Sequence, residues 1–291
     1  MFPFFFFSFH LSLFTQAIRQ KRLFNMLKRI KETINRITKS SSSSSSSRPR
    51  EETSLRLEKS SHSIGSAGSL ETSTSSHHDA KGPLVLYDGV TEGDGGVDIV
   101  LVHDLFGHRI ASWFQRGICW PRDLLRDDIQ VSRIISWGWS GPFSSDNAFS
   151  EQGESLLADM SAIRSNTSRP IVFIGHGIGG LVVKEALVTA AMSRIYLGQH
   201  ELGNVYPKTV GVIFLGTPHT NSGKQTLGEV VAMAAQMSAR TPSSQLLRLL
   251  RESSEVFENQ RDTFALISRD IQVVCVAERL SLPTGQVRRA V

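Results

Sequence analysis

Cysteine is scarce in this sequence, since its 291 residues include only Cys119 and Cys275. Two cysteines cannot form the framework of several disulfides that holds small secreted domains together. The core must therefore come from apolar packing, and a hydrophobic content of 40% is sufficient for that. We expect an intracellular protein in a reducing compartment.

Long apolar runs are also missing. Residues 1–14 are apolar and rich in phenylalanine, but this segment is shorter than the roughly 20 residues of a membrane-spanning helix. It has no basic n-region and no small-residue cleavage site, which disfavours a secretory signal.

A basic amphipathic helix is predicted directly behind that segment. Residues 19–39 contain eight basic residues and one acid, Glu32, and their apolar residues recur every three or four positions. Such a helix is typical of membrane-surface binding or of mitochondrial targeting. We expect residues 1–39 to bind a membrane surface, at mitochondria or the endoplasmic reticulum. A solvated helix, or translation from Met26, is the alternative.

Positive charge is concentrated in the first 80 residues. They carry 12 Lys and Arg against 6 Asp and Glu, whereas residues 81–291 carry 20 against 21. The near-neutral remainder gives no electrostatic argument for nucleic-acid binding. Residues 40–82 begin with eight consecutive serines and stay rich in Ser, Thr, Gly and charge, so we predict a disordered linker there.

Short apolar strands alternate with helical segments between residues 83 and 280. The predicted strands are 98–102, 133–137, 171–174, 210–215 and 271–276. This alternation predicts an α/β fold with a mainly parallel sheet, in which ligands bind at the carboxyl ends of the strands. Residues 281–291 form an atypical tail, and we expect the domain to be truncated at its C-terminus.

The strand at 171–174 passes into a helix through the glycine-rich segment Gly175-His176-Gly177-Ile178-Gly179. A strand that turns sharply into a helix is the setting of the G-x-S-x-G nucleophile elbow, whose middle residue is exposed on a strained turn. Here the middle residue is Gly177 rather than serine. The sequence thus predicts the scaffold of a hydrolase without its nucleophile.

Residues 97–280 resemble lipase-like serine esterases related to the serine-active-site-containing protein family, an α/β-hydrolase group whose domains often precede NACHT or NB-ARC modules in fungi. The segments that carry the resemblance are VDIVLVHDLFGH, GICWPRDLL, RIISWGW, RPIVFIGHGIGGLVVKEAL, GVIFLGTPH and VVCVAERL. The family has glycine where this chain has Asp104 and serine where it has Gly177. It also has a histidine beyond Glu278, and the remaining 13 residues contain none.

The resemblance implies an α/β-hydrolase fold and a site for a lipid or an ester. In such a site a serine gives its proton to a histidine that an acid orients, and two backbone N–H groups stabilise the oxyanion. The implied positions are the nucleophile at Gly177, the acid at Glu278, the oxyanion-hole N–H groups of Leu105 and Ile178, and the elbow residues Gly175, His176 and Gly179.

Nothing in the sequence replaces the missing serine and histidine. Asp104 brings a carboxylate beside the oxyanion hole, where it should repel an oxyanion. His103 and His219 follow strands, where histidine is more often structural than catalytic. We expect serine at position 177 to leave stability unchanged or slightly lower, and to create no esterase.

The glycines of the elbow also match the dinucleotide fingerprint G-x-G-x-x-G, from Gly175 to Gly180. That fingerprint needs an acid about 20 residues further on, after the next strand, and the next strand is followed only by Gly216 and Thr217. Residues 222–226 lack the leading glycine of a P-loop. We expect neither a cofactor nor a metal.

The sequence therefore predicts a catalytically inactive relative of serine esterases and lipases. The alternatives are a non-catalytic binding or scaffold module, a truncated gene model of an active lipid or ester hydrolase, and, less favoured, a dinucleotide-binding protein. The expected partners are a lipid or ester ligand and, through residues 1–39, a membrane surface.

Overall fold

A computed structural model describes residues 81–90, 96–115, 117–139, 148–197, 205–219 and 254–276, together with Glu32. Apart from Glu32, Lys81 and Gly82, the residues of the predicted arm and linker lie outside this set, as do the acid position Glu278 and the tail, and these predictions remain predictions. Gly82, the last residue of the predicted linker, is the first residue of a strand. Among the described residues, no helix combines the length and apolarity needed to cross a membrane.

Strands and helices alternate along the described chain. The strands are β1 Gly82–Asp88, β2 Val97–Val102, β3 Phe114–Gln115, β4 Ile118–Cys119, β5 Ser132–Gly138, β6 Ile171–His176, β7 Thr209–Leu215 and β8 Gln272–Val276. The longer helices are α1 Ala148–Ile163 and α2 Gly179–Leu197, then α4 Ser254–Ile267, with a single turn α3 Val205–Lys208 before β7. Short helical turns occupy Ala111–Trp113, Pro121–Leu125 and Arg126–Asp128.

Six of these strands form one sheet in the order β1-β5-β2-β6-β7-β8. β1 is antiparallel to β5, and every other neighbouring pair is parallel. The register of the centre places Val100 beside both Ile135 and Phe173. The predicted α/β fold with a mainly parallel sheet is confirmed. β3 and β4 form a separate small hairpin.

The sheet is apolar on both faces because its central strands are buried throughout. Every residue of β2 is buried, as are the first five of β6. Side chains alternate between the two faces, so that Val100 and Phe173 pack with α1, α2 and α4 while Ile99 and Val172 pack with Trp113 and Leu125 on the other side. Helices on both faces are the usual surroundings of a parallel sheet.

A buried charge cluster lies at the amino end of β2, away from the strand ends that build the candidate site. The Asp98 side chain is 0% exposed, and it accepts hydrogen bonds from Arg133 at 3.0 and 2.9 Å. Arg164 and Arg169 also pair with the same carboxylate. Burial, followed by repulsion from Arg169, lowers the pKa of Arg164 to about 10. Three strand and loop segments are thus tied together through one carboxylate.

Candidate active site

The turn between β6 and α2 has the geometry of a nucleophile elbow. β6 ends at His176 and α2 begins at Gly179, so two residues make the turn. Gly177 has a φ of 53°, in the left-handed region that favours glycine, and its N–H donates to the carbonyl of Leu215 at 2.9 Å. The middle residue of the elbow is therefore held by the neighbouring strand β7.

Glycine at position 175 is also required for α2 to pack against β6. A Cβ atom at Gly175 would lie 2.6 Å from the Cα atom of Gly180. No larger residue fits there without moving backbone atoms. This close approach accounts for the G-x-G-x-x-G pattern through packing, without a nucleotide.

The loop after β2 forms the other half of the site. It contains His103, Asp104, Leu105, Phe106 and Gly107, and the N–H of Gly107 donates to the carbonyl of Asp104 at 2.9 Å. Phe106 takes a φ of 63° to close this turn. Because β2 and β6 are parallel neighbours, the loop and the elbow meet at the same end of the sheet.

The Asp104 carboxylate lies between the two N–H groups that the resemblance assigns to an oxyanion hole. Its Oδ1 atom accepts hydrogen bonds from the N–H of Leu105 at 2.8 Å and from the N–H of Ile178 at 2.7 Å. These are the two N–H groups that the resemblance assigned to the hole, and both distances fall in the range expected for oxyanion donors. The sequence placed this carboxylate beside the hole. The structure places one of its oxygens between the two donors.

The same carboxyl group takes the space of the missing side chain. A Cβ atom built on Gly177 would overlap the Asp104 carboxyl carbon and both of its oxygens. The two departures from the family pattern are thus sterically complementary, because the glycine leaves room for the aspartate. No local sequence pattern connects the two residues, since they are 73 positions apart.

The histidine next to Asp104 has a structural role. The His103 Nδ1 atom lies 2.8 Å from the carbonyl of Asp104, and Nε2 accepts from the N–H of Trp139 at 3.2 Å. The two rings stack with centroids 5.8 Å apart. Burial lowers the pKa of His103 to about 4. This neutral ring holds the β2 loop against Trp139 and has no nitrogen left to serve as a general base.

His176 is the last residue of β6, His219 follows β7, and both rings pack against aromatic side chains. The ring of His176 is 6.3 Å from that of Trp113. The ring of His219 packs edge-on against Phe214, and its Nε2 atom lies 3.3 Å from the sulfur of Cys275. Burial, followed by repulsion from the Lys184 ammonium, lowers the pKa of His219 to about 4.

Neither a phosphate nor a metal site is built from the described residues. A dinucleotide phosphate would bind the N–H groups at the start of α2, where the Asp104 carboxylate already accepts from Ile178. Within the same residues, no group of three or more His, Cys, Asp or Glu side chains is arranged to hold a metal ion.

Sequence similarity links the chain to SERAC1 proteins. Human SERAC1 (Homo sapiens) is 27% identical over 150 residues, which cover 43% of this chain and 22% of that protein. SERAC1 of Danio rerio is 26% identical over 148 residues, covering 42% and 22%. The chain thus spans 22% of the length of these curated relatives. No family model matches it.

Solved structures of similar shape are lipases, esterases and thioesterases. The mature form of the Bacillus licheniformis lipase BlEst2 is 16% identical, covers 66% of this chain and 70% of its own, and gives a TM-score of 0.43. The type II thioesterase YbtT is 16% identical, covers 66% and 77%, and gives a TM-score of 0.35. From its strand order and its elbow, the chain has an α/β-hydrolase fold, and its sequence similarity is to SERAC1 proteins.

Proposed function

We propose that this α/β-hydrolase relative of serine esterases does not hydrolyse esters by a serine mechanism, and that its site binds a lipid or an ester without turning it over. One observation carries the proposal. The Asp104 Oδ1 atom accepts from both Leu105 and Ile178, so the hole is filled by the chain itself.

Three features of the site oppose ester hydrolysis. A tetrahedral intermediate needs the two N–H groups for its own oxyanion, and both are engaged. Gly177 also offers no hydroxyl to attack the carbonyl. A negative charge already in the hole repels a second one that develops beside it.

The neighbouring histidines support the same conclusion. A serine mechanism needs a base that accepts the proton of the nucleophile. His103 has both ring nitrogens in hydrogen bonds, and burial keeps the pKa of His103 and of His219 at about 4. Neither ring is placed by a described acid in the way that a triad requires.

The ligand class follows from the fold and from the resemblance of the sequence. Lipases and esterases of this fold bind acyl compounds at the carboxyl ends of the strands, where the elbow and the β2 loop meet here. An apolar acyl chain would pack beside Leu105 and Ile178, and its carbonyl would stay outside the filled hole.

Fluorophosphonate labelling tests the absence of serine chemistry. We expect no covalent label on the elbow peptide of the purified chain, while an active lipase in the same reaction is labelled. Stoichiometric labelling of any serine near the elbow would overturn the proposal.

Binding is tested separately with a fluorescent ester analogue. The chain should bind the analogue and release no product. The variant Asp104→Gly empties the hole and should bind it more tightly, because the ester carbonyl gains two N–H donors. Titration with NADH serves as the control for the dinucleotide alternative and should give no saturable signal.

A further inference from the structure

We infer that Lys184, His219 and Cys275 form a second binding site, which takes the carboxylate of an acid with an apolar tail, such as a medium-chain fatty acid. The three side chains come from α2, from the segment after β7 and from β8. This place is distinct from the elbow, and the inference does not depend on the proposed function.

The first argument is the position of the Lys184 ammonium. Lys184 is only 3% exposed. Its Nζ atom lies 5.4 Å from the ring centroid of Phe214 and 5.7 Å from that of Phe264. Aromatic rings attract an ammonium, but they replace only part of the hydration that burial removes. An anion that reaches this lysine would therefore be bound favourably.

The second argument is the balance of charge around that ammonium. Burial lowers the pKa of Lys184 to about 8, the interaction with Cys275 opposes this shift, and repulsion from Arg261 adds to it. A lowered pKa means that the surroundings as a whole disfavour the charged form. Lys184 still carries its proton near neutral pH, because that value lies above 7. Arg261 has its own carboxylate, since it pairs with Asp262 at 2.8 Å.

The third argument is that the cluster reaches the surface. Cys275 is exposed, and its sulfur lies 3.3 Å from the Nε2 atom of the half-buried His219. The ring of His219 packs edge-on against Phe214 with centroids 4.8 Å apart, and the same phenyl ring lies against Lys184. Exposure thus falls from the cysteine through the histidine to the lysine. A ligand that enters over Cys275 meets the other two side chains in that order.

The protonation states select a monoanion. Burial, followed by repulsion from the Lys184 ammonium, lowers the pKa of His219 to about 4, so the ring is neutral and carries one N–H donor near neutral pH. Burial raises the pKa of the Cys275 thiol, which therefore stays protonated and does not repel an anion. The positive charge of the cluster then resides on Lys184. It matches the charge of a carboxylate better than that of a phosphate dianion.

The apolar surroundings select an acid with an alkyl tail. The rings of Phe214 and Phe264 are buried and lie 5.8 Å apart. Val273 is on the same face of β8 as Cys275, because side chains alternate along a strand, and it is 39% exposed. A tail that leaves the carboxylate can cover this valine, so a fatty acid should bind better than acetate.

Alkylation of Cys275 by iodoacetamide, a small uncharged reagent, provides the test on the full-length chain. Decanoate below its micelle-forming concentration should slow the reaction, because the bound acid covers the thiol. Decanol has the same tail without the charge, and it should need about tenfold more ligand for equal protection. Peptide mass spectrometry separates Cys275 from the buried Cys119, whose labelling should not respond to decanoate.

Lys184→Met removes the charge and keeps a long apolar side chain. This variant should weaken decanoate binding about tenfold or more, because a hydrogen bond to a charged group is lost. It should fold at least as stably as the native chain, since an apolar group replaces a buried charge. Thermal unfolding checks that point. Lys81→Met is the matched control, because Lys81 is exposed and precedes β1, and it should bind decanoate as the native chain does.

A second measurement detects binding without using the thiol. The NMR resonance of decanoate that is isotopically labelled at its carboxyl carbon should shift on adding the native chain. The shift should be lost with Lys184→Met and kept with Lys81→Met. Equal protection by decanoate and decanol, unchanged binding in Lys184→Met, or no decanoate binding to the folded native chain would overturn the inference.

The outcomes separate this inference from the proposed function. A chain that binds no decanoate, resists fluorophosphonate and binds the ester analogue would fit the proposed function and contradict the carboxylate site. Labelling by fluorophosphonate would contradict the proposed function and leave the result for decanoate unaffected.

Discussion

The carboxyl group of Asp104 lies in the space that a side chain at Gly177 would need. Each residue alone departs from the esterase pattern, and together they form one packed arrangement. The effect of a substitution at either position on stability therefore depends on the residue at the other position. The stability of this pair can be measured independently of any ligand.

Gly177→Ser should destabilise the fold by about 1–3 kcal/mol, because the new side chain overlaps the Asp104 carboxyl group and must also adopt a φ near 53°. From the sequence alone, we expect the stability to be unchanged or slightly lower, because the sequence indicates the strained backbone at this position and not the neighbouring carboxyl group. Urea denaturation measures the loss.

The double variant with Asp104→Gly provides the control for that overlap. Removing the carboxyl group should recover part of the loss, with a coupling free energy of about 0.5–3 kcal/mol between the two positions. Additive effects would show that the two side chains do not share the space.

Asp104→Ala should lower the free energy of unfolding by about 0.5–2 kcal/mol, because it removes the acceptor that caps Ile178 at the start of α2. Asp104→Asn keeps an acceptor oxygen and should cost less. Thermal unfolding of the two variants side by side gives the comparison. Equal losses would argue against the hydrogen bonds to Oδ1.

The stability of the domain should fall as the pH is lowered from about 6.5 to about 4. In this window the unfolded chain binds a proton at His103, whose pKa burial lowers to about 4 in the folded state, so protonation favours unfolding. The difference corresponds to about 3 kcal/mol for His103. His219 is shifted in the same direction and is less buried.

Urea denaturation across that pH range checks the His103 contribution. The slope of stability against pH should be smaller in His103→Gln than in the native chain. His219→Gln serves as the comparison and should reduce the slope by a similar amount, because burial lowers the pKa of His219 to about 4 as well. A slope that His103→Gln leaves unchanged would contradict the burial of a neutral ring at this position.

Asp98→Ala should destabilise the domain by about 3–5 kcal/mol, because it leaves the guanidinium groups of Arg133, Arg164 and Arg169 without their shared carboxylate. Asp262→Ala is the matched control. It breaks an exposed ion pair with Arg261 and should cost less than about 1 kcal/mol. Similar losses in both variants would show that the Asp98 cluster contributes no more than a surface pair.

Much of the fold was predictable because the central strands are continuous β-branched runs. The predicted strand at 171–174 is the first part of β6, and the predicted strand at 98–102 lies within β2. β1 was not predicted, because Gly82 and Pro83 read as a domain boundary and its side chains are only half-buried. Its antiparallel pairing with β5 depends on contacts between residues that are 45 to 56 positions apart.

The candidate site was predictable in position and not in arrangement. Glycine spacing after a buried strand located the elbow, and strand ends located the loop at Asp104. The hydrogen bond from Ile178 to Asp104 joins residues 74 positions apart, so no local pattern could reveal it. The one available signal was the coincidence of two departures from the family pattern, an added carboxylate and a missing side chain.

NMR of the amide protons of Leu105 and Ile178 gives the most direct test of whether Asp104 occupies both N–H groups. Both groups donate to the same oxygen, so in Asp104→Ala both resonances should shift together and both amide protons should exchange faster with solvent than in the native chain. Resonances and exchange rates that stay unchanged in the variant, or a change at only one of the two amides, would contradict the claim that Asp104 fills the oxyanion hole.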